Sequence, residues 1–225
     1  MKKRNYVIIV ILAVVVMVMI SVTKIKQTQI CISSQGDVDG YTYPFQAGDL
    51  LLFQNEGENG RAMTRAVRLF TACIINHVGM VYIHPTTKHP FVFEMMMSGV
   101  VMVPLYTKIK NTRGHVYVRS IQPPLHEKQL NLFDDFVCMH WKDPYMNNIV
   151  LHWYNRYMSV LPLPQKQTQE GFTCATLVGS TLTYIQVFLK GSDKLKMYPL
   201  DFLSNTKLPL ENNFSYAQEL LVHVT

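Results

Sequence analysis

The segment Ile75–Met96, INHVGMVYIHPTTKHPFVFEMM, sets His77 and Glu94 among valines, phenylalanines and methionines. Both arms are rich in β-formers, and HPTTKHP between them is turn chemistry, so a hairpin is expected. With a four-residue loop at His84–Thr87, Ile83 faces Lys88 and His77 lies directly across from Glu94. Directly opposed residues share a face, which here also carries Gly79 and Val92. Val78, Met80, Phe91, Phe93 and Met95 form the opposite, core-facing side. A slip of one residue would part the imidazole from the carboxylate. A carboxylate beside an imidazole fixes its tautomer and steadies the imidazolium that forms when it takes a proton. The pair by itself leaves a structural ion pair or a satisfied core histidine open, because it lacks a nucleophile.

The candidate nucleophile stands far downstream. After Glu170-Gly171-Phe172-Thr173, the positions Leu177, Val178, Leu182, Ile185 and Leu189 keep a helical rhythm, so a helix starts near Cys174 with Thr173 as its cap. A cysteine in a first helical turn meets unpaired N–H groups and the positive end of the helix dipole, which raise its thiolate fraction. The alternative is a small buried hydrophobe, the usual state of a free cysteine. Cys73 and Cys138, inside apolar helical patterns, read that way, and Cys31 falls in a polar stretch. The cysteines show neither CxxC nor metal-like spacing with histidine. A site drawn from His77, His84 and His89 does not suit strand spacing, so neither a metal nor a cofactor is expected. His115, His126, His140 and His152 read as surface or helix positions.

These side chains need elements to hold them. Gly48–Phe53, GDLLLF, reads as a turn, capped by Asp49, and a fully buried strand. Asn55–Gly60 is a loop, and Arg61–Cys73 carries Met63, Val67 and Phe70 at helical spacing. Lys142–Tyr157 is rich in aromatics and reads as a core helix or as a membrane-facing or substrate-lid segment. The chain beyond Lys190 reads as a wrapping extension.

The 225 residues, 48% apolar, suit one domain with an appendage. The net charge of +6 is thinly spread, with half of it in Lys2, Lys3 and Arg4. The chain has no basic stripe with interleaved aromatics, so no nucleic-acid partner is expected. Tyr6–Val22, YVIIVILAVVVMVMISV, is an uncharged run of 17 residues without a convincing cleavage site after it, and it is expected to be a retained single-pass transmembrane helix in the lipid bilayer. The expected organisation is an anchor over 1–23, a polar linker over 24–44 and a domain over 45–225. The positive residues before the apolar run put that domain on the non-cytoplasmic side. The triplet Asn213-Phe214-Ser215 is compatible with that side.

In chain order, GDLLLFQ, NHVGMVY, FVFEM and FTCATLV resemble the permuted branch of the NlpC/P60 papain-like superfamily, and more closely its YiiX-like group, which includes poxviral relatives. Lys142-Asp143-Pro144-Tyr145 is similar to the Gly-Lys-Pro-Tyr-Asp stretch that commonly precedes the cysteine in that superfamily. The resemblance covers residues 45–189. It implies an α+β, circularly permuted papain-like fold: an antiparallel, near-barrel sheet packed by helices. It also implies Cys174 as nucleophile, His77 as base and Glu94 as the residue that orients His77. The backbone N–H of Cys174, and Gln54 just past the first strand, would serve an oxyanion hole. Two departures stand out: Ala175-Thr176 replaces a common Ser-Glu, and Asn76 stands where serine often precedes the histidine. The implied activity is a membrane-anchored thiol hydrolase or acyltransferase acting on a peptide amide or lipid ester. The alternative is an anchored, non-catalytic binding or structural protein, such as one of a virion, that keeps the fold.

Overall fold

The computed structural model describes residues 36–55, 73–146, 171–189, 191, 197–211 and 213–223. The expected anchor, the helix expected over Arg61–Cys73 apart from Cys73 itself, and the aromatic stretch from residue 147 onward lie outside them. Among the described residues no helix is long and apolar enough to cross a membrane.

The run Leu50–Phe53 forms the centre of the molecule because all four side chains are apolar, and each is fully buried. It belongs to β2 (Leu50–Asn55), which pairs antiparallel with β3 (His77–Ile83) on one side and β6 (Gly114–Arg119) on the other. Beyond β3 come β4 (Pro90–Met96) and β5 (Gly99–Pro104). Beyond β6 come β9 (Leu220–His223) and, parallel to it, β1 (Asp37–Asp39). Among the described residues the strand order is β1-β9-β6-β2-β3-β4-β5, with β1 and β5 as edges where a near-barrel sheet was expected. A small second sheet joins β7 (Ile121–Gln122) to β8 (Ser215–Tyr216).

Both faces of this sheet are covered, which is why β2 lacks polar alternation. Leu50, Leu52, Val78, Met80, Phe93 and Met95 face one core. Onto it pack α2 (Glu127–His140), through Phe133, Phe136 and Val137, and α3 (Cys174–Tyr184), through Ala175, Leu177, Val178 and Leu182. Each fully buried leucine or valine there contributes about 1.5–3 kcal/mol relative to exposure. Leu51, Phe53, Val81, Val92, Val116 and Val118 face a second core, closed by Leu105 and Ile109 of α1 (Leu105–Asn111).

The hairpin differs from its expected register by two residues. Its ladder runs Met80–Phe93, Val81–Val92, Tyr82–Phe91 and Ile83–Pro90, so the loop spans His84–His89. Pro90 opens β4, where its missing N–H costs nothing, and the loop is closed by His84 N–H on the His89 carbonyl (3.0 Å) and Lys88 N–H on that of His84 (2.9 Å). A shift of two keeps every side chain on its face, so His77 and Glu94 stay on one side as diagonal neighbours rather than directly opposed.

Two further expectations change. Asp37–Asp39, inside the stretch read as linker, is an edge strand, and the stretch read as a wrapping extension supplies β9 to the main sheet. The physical cause of the second is Arg119, buried at the end of β6. Its guanidinium donates to the carbonyls of Ala217 (2.7 Å), Phe202 (2.5 Å) and Tyr216 (3.1 Å), drawing the chain end onto the sheet. Of the cysteines read as buried hydrophobes, Cys73 is buried but Cys138 is exposed on α2.

Candidate active site

The site lies where the sheet opens. Pairing of β2 with β3 continues down to Phe53–His77, and pairing of β4 with β5 down to Met96–Gly99. The ladder between β3 and β4 stops at Met80–Phe93. Residues 77–79 and 94–96 therefore flank an unpaired stretch. Gly79 makes the close approach of its neighbours feasible, since a Cβ there would lie 2.8 Å from Val92 Cγ1 and 3.3 Å from Glu94 Cβ. Asn76 braces the start of β3: its amide donates to the Asn55 carbonyl (3.0 Å) and accepts from the Asn55 N–H (3.2 Å).

The first turn of α3 enters this opening. Thr173 caps the helix, accepting the Thr176 N–H at 3.2 Å, and Thr176 Oγ1 accepts the Thr173 N–H at 2.8 Å. Thr176 thus performs the return half of a capping box, a task well suited to glutamate at that position, so the departure noted above leaves the start of the helix intact. The His77 ring and the backbone N–H groups of Val78 and Ala175 stand close enough to the Cys174 sulfur to favour its thiolate. Burial pushes the thiol up, but His77 and those backbone donors outweigh it and its pKa falls below the ordinary value.

His77 Nε2 lies 2.6 Å from Glu94 Oε2, which leaves Nδ1 as the nitrogen available to sulfur. The ring also packs on Phe53, with centroids 5.3 Å apart. Burial disfavours the imidazolium, yet the bonds and charges of Cys174 and Glu94 prevail and push its pKa up to about 9. Glu94 is 0% exposed. Burial raises its pKa, but His77 and Lys108 reverse the sign and hold it below the usual carboxylate range. Lys108 Nζ, from α1, is 2.6 Å from Glu94 Oε1 and 5.1 Å from the Phe53 ring centroid. The directions of these shifts favour a thiolate beside an imidazolium, the state in which a cysteine attacks a carbonyl carbon.

Residues 144–146 pair with the segment that leads into α3. Tyr145 pairs with Phe172, the Met146 N–H donates to the Phe172 carbonyl (3.0 Å), and the Phe172 N–H to that of Pro144 (3.4 Å). Gly171, at φ +88°, packs so closely here that a Cβ would lie 2.4 Å from the Pro144 oxygen. Tyr145 itself stands near enough to sulfur that the Cys174 charge adds to burial in raising its hydroxyl pKa.

The structure therefore brings Cys174, His77 and Glu94 together. Gln54, half-buried near the end of β2, lies by alternation on the face of Leu50 and Leu52, the one α3 covers. Asp49 does cap its turn: its carboxylate accepts the Gln46 N–H (3.0 Å) and also the Ile121 N–H (3.1 Å). His84 caps the hairpin loop, its Nδ1 accepting from Thr86 and Thr87 at 3.3 Å each. Nothing in the sequence marked Lys108 or the Val78 N–H: a lysine on a short helix carries no motif, and a backbone donor has no letter.

No protein-family model and no curated protein matches the chain. Among solved structures it is similar to the metalloprotein yiiX from Escherichia coli O157:H7, at 18% identity over 81% of this chain and 99% of that one, with a TM-score of 0.49.

Proposed function

We infer that the chain is a thiol acyl hydrolase or acyltransferase of the permuted papain-like type, with Cys174 as nucleophile, His77 as acid and base, and Glu94 as the holder of His77. One observation carries this reading: the Cys174 sulfur, at the start of a helix, lies beside the His77 ring while a buried carboxylate holds the other side of that ring. The Cys174 thiolate attacks the carbonyl carbon of an amide or ester, forming a C–S bond and an oxyanion. The Cys174 N–H and Gln54 are the proposed donors to that oxyanion. His77 gives its proton to the departing nitrogen or oxygen as that bond breaks, leaving a thioester. Neutral His77 then takes a proton from water, or from another acceptor, whose attack breaks the C–S bond and restores the thiolate–imidazolium pair. Residues 6–22 would hold this chemistry at a membrane, with the domain on the non-cytoplasmic side and a membrane-proximal peptide or lipid as acyl donor.

The test is the rate of iodoacetamide labelling at Cys174 against pH, followed by peptide mass in the full chain held in detergent, for the wild type and His77→Ala. The expected thiolate titrates well below about 8.5, the free value, and moves upward when His77 is lost. Labelling as slow as that of a buried thiol, and indifferent to His77→Ala, overturns the reading and leaves a non-catalytic binding or structural protein.

A further inference from the structure

Glu94 is a buried carboxylate with two cationic neighbours, and only one of them belongs to the triad. His77 lies 2.6 Å from Oε2 and Lys108 Nζ 2.6 Å from Oε1. The Lys108 side chain is 14% exposed and lies over Phe53, the ring that also packs on His77. Among the described residues, the titratable groups facing one another here are His77 on β3, Glu94 on β4, Lys108 on α1, Cys174 on α3 and Tyr145 before it. With Cys174 as a thiolate, charges alternate along the row: ammonium, carboxylate, imidazolium, thiolate.

We propose that Lys108 is a positioning residue that neutralises Glu94, so that the carboxylate orients His77 without locking a proton onto it. The inference rests on the acyl-transfer reading above and concerns its second half. While sulfur is a thiolate, the imidazolium has an anion on either side. Once sulfur is bound in a thioester that anion is gone, and His77 must become neutral to take a proton from water. A fully buried carboxylate with no other cation would oppose this in two ways. It would hold the proton on His77 through its undiminished field, or accept that proton itself, because burial favours the neutral acid. A lysine on the second oxygen removes both tendencies. It discounts the field felt by His77, and it keeps Glu94 ionised whether or not His77 is charged. The hydrogen bond that sets the ring's tautomer survives, since Oε2 remains free to accept it. An oxygen left to water or to a neutral donor would lack this property, and α1 delivers the cation from the face opposite α3, where it does not obstruct the sulfur.

The test reads His77 directly. Cys174→Ala removes the thiolate, as thioester formation would, and ¹³C-labelled histidine in the full chain in detergent reports the ring titration by NMR, with the His77 signal assigned from His77→Gln. In this background Lys108→Met is expected to raise the His77 pKa by about one pH unit, a tenfold change, because a like charge has been taken away. Lys108→Arg, which keeps the cation, is expected to return it to the value seen with Lys108. Should Lys108→Met fail to fold, Lys108→Gln keeps a polar donor against Oε1 and is expected to raise the pKa in the same direction. An unchanged or lowered His77 pKa without the lysine charge, or Lys108→Arg behaving like Lys108→Met, overturns the proposal. Because the titration uses no reactive thiol, the two failures differ. A reactive, His77-dependent thiol with no Lys108 effect removes this inference alone. An inert thiol removes the enzyme and leaves the charge effect without a reaction to serve.

Discussion

Asp49 and Glu94 are both carboxylates with no exposure to solvent, and their pKa values move in opposite directions. Asp49 is held by two backbone N–H groups, those of Gln46 and Ile121, and burial still pushes its pKa up to about 6. Glu94 is held by an imidazole and an ammonium, and its pKa falls below the usual range although burial opposes it. The contrast shows that burial does not assign a role to an acid; its partners do. Amide dipoles suffice to bind a carboxylate into a turn. Full positive charges go further and hold a buried carboxylate's pKa below the usual range, and a carboxylate meant to steady an imidazolium has to stay ionised.

The strongest way to break this comparison is to remove Glu94. Glu94→Ala leaves His77 and Lys108 without their common counter-ion, and a loss of about 3–5 kcal/mol in unfolding free energy is expected by chemical denaturation. A loss under about 1 kcal/mol would show that solvent reaches both cations and that Glu94 is not their partner in solution.

The pH dependence sharpens the comparison, because the two acids act with opposite signs. Asp49 has a folded pKa raised to about 6 from an ordinary 3.8, so its favourable contribution is complete below the ordinary value and is lost as pH rises through 6. Glu94 has a lowered folded pKa, so its contribution is present above the ordinary 4.5 and is lost as pH falls through the folded value. His77, raised from 6.5 to about 9, contributes fully below 6.5 and ceases to do so as pH rises through 9. The stability of wild type minus that of Asp49→Asn is therefore expected to decline by about 2–3 kcal/mol between pH 3 and pH 8. A difference that stays flat would place Asp49 among ordinary carboxylates.

The smallest effect belongs to Asp49→Asn at neutral pH. It exchanges a buried charge for an amide that accepts from one backbone N–H and presents a donor to the other. These changes largely offset, leaving a cost of about 1 kcal/mol. Iodoacetamide labelling at Cys174 is expected to stay unchanged in this variant. Slower labelling would mean that the turn at Asp49 positions the sheet opening after all.

The local readings that held were those resting on parity or on a short-range cap. His77 and Glu94 belong to strands of period two, so an error of two residues in register preserved their common face even though it removed their direct opposition. Cys174 opens a helix because Thr173 and Thr176 close each other's backbone groups, a pattern contained within four residues. Leu50–Phe53 reads as a doubly buried strand because nothing polar interrupts it.

What the sequence determined by itself, then, is which side chains share a face and where a helix begins, since both follow from periodicity and near-neighbour hydrogen bonds. Only the tertiary structure decided that β3 and β4 part below Met80–Phe93, that Cys174 comes to lie beside His77, and that Lys108 meets the far oxygen of Glu94. It also decided that β9 joins the sheet beside β6, drawn there by the buried guanidinium of Arg119. Each of these joins segments distant along the chain through desolvated charges or backbone groups. Such partners are selected by what else is buried beside them, and no local spacing records that choice.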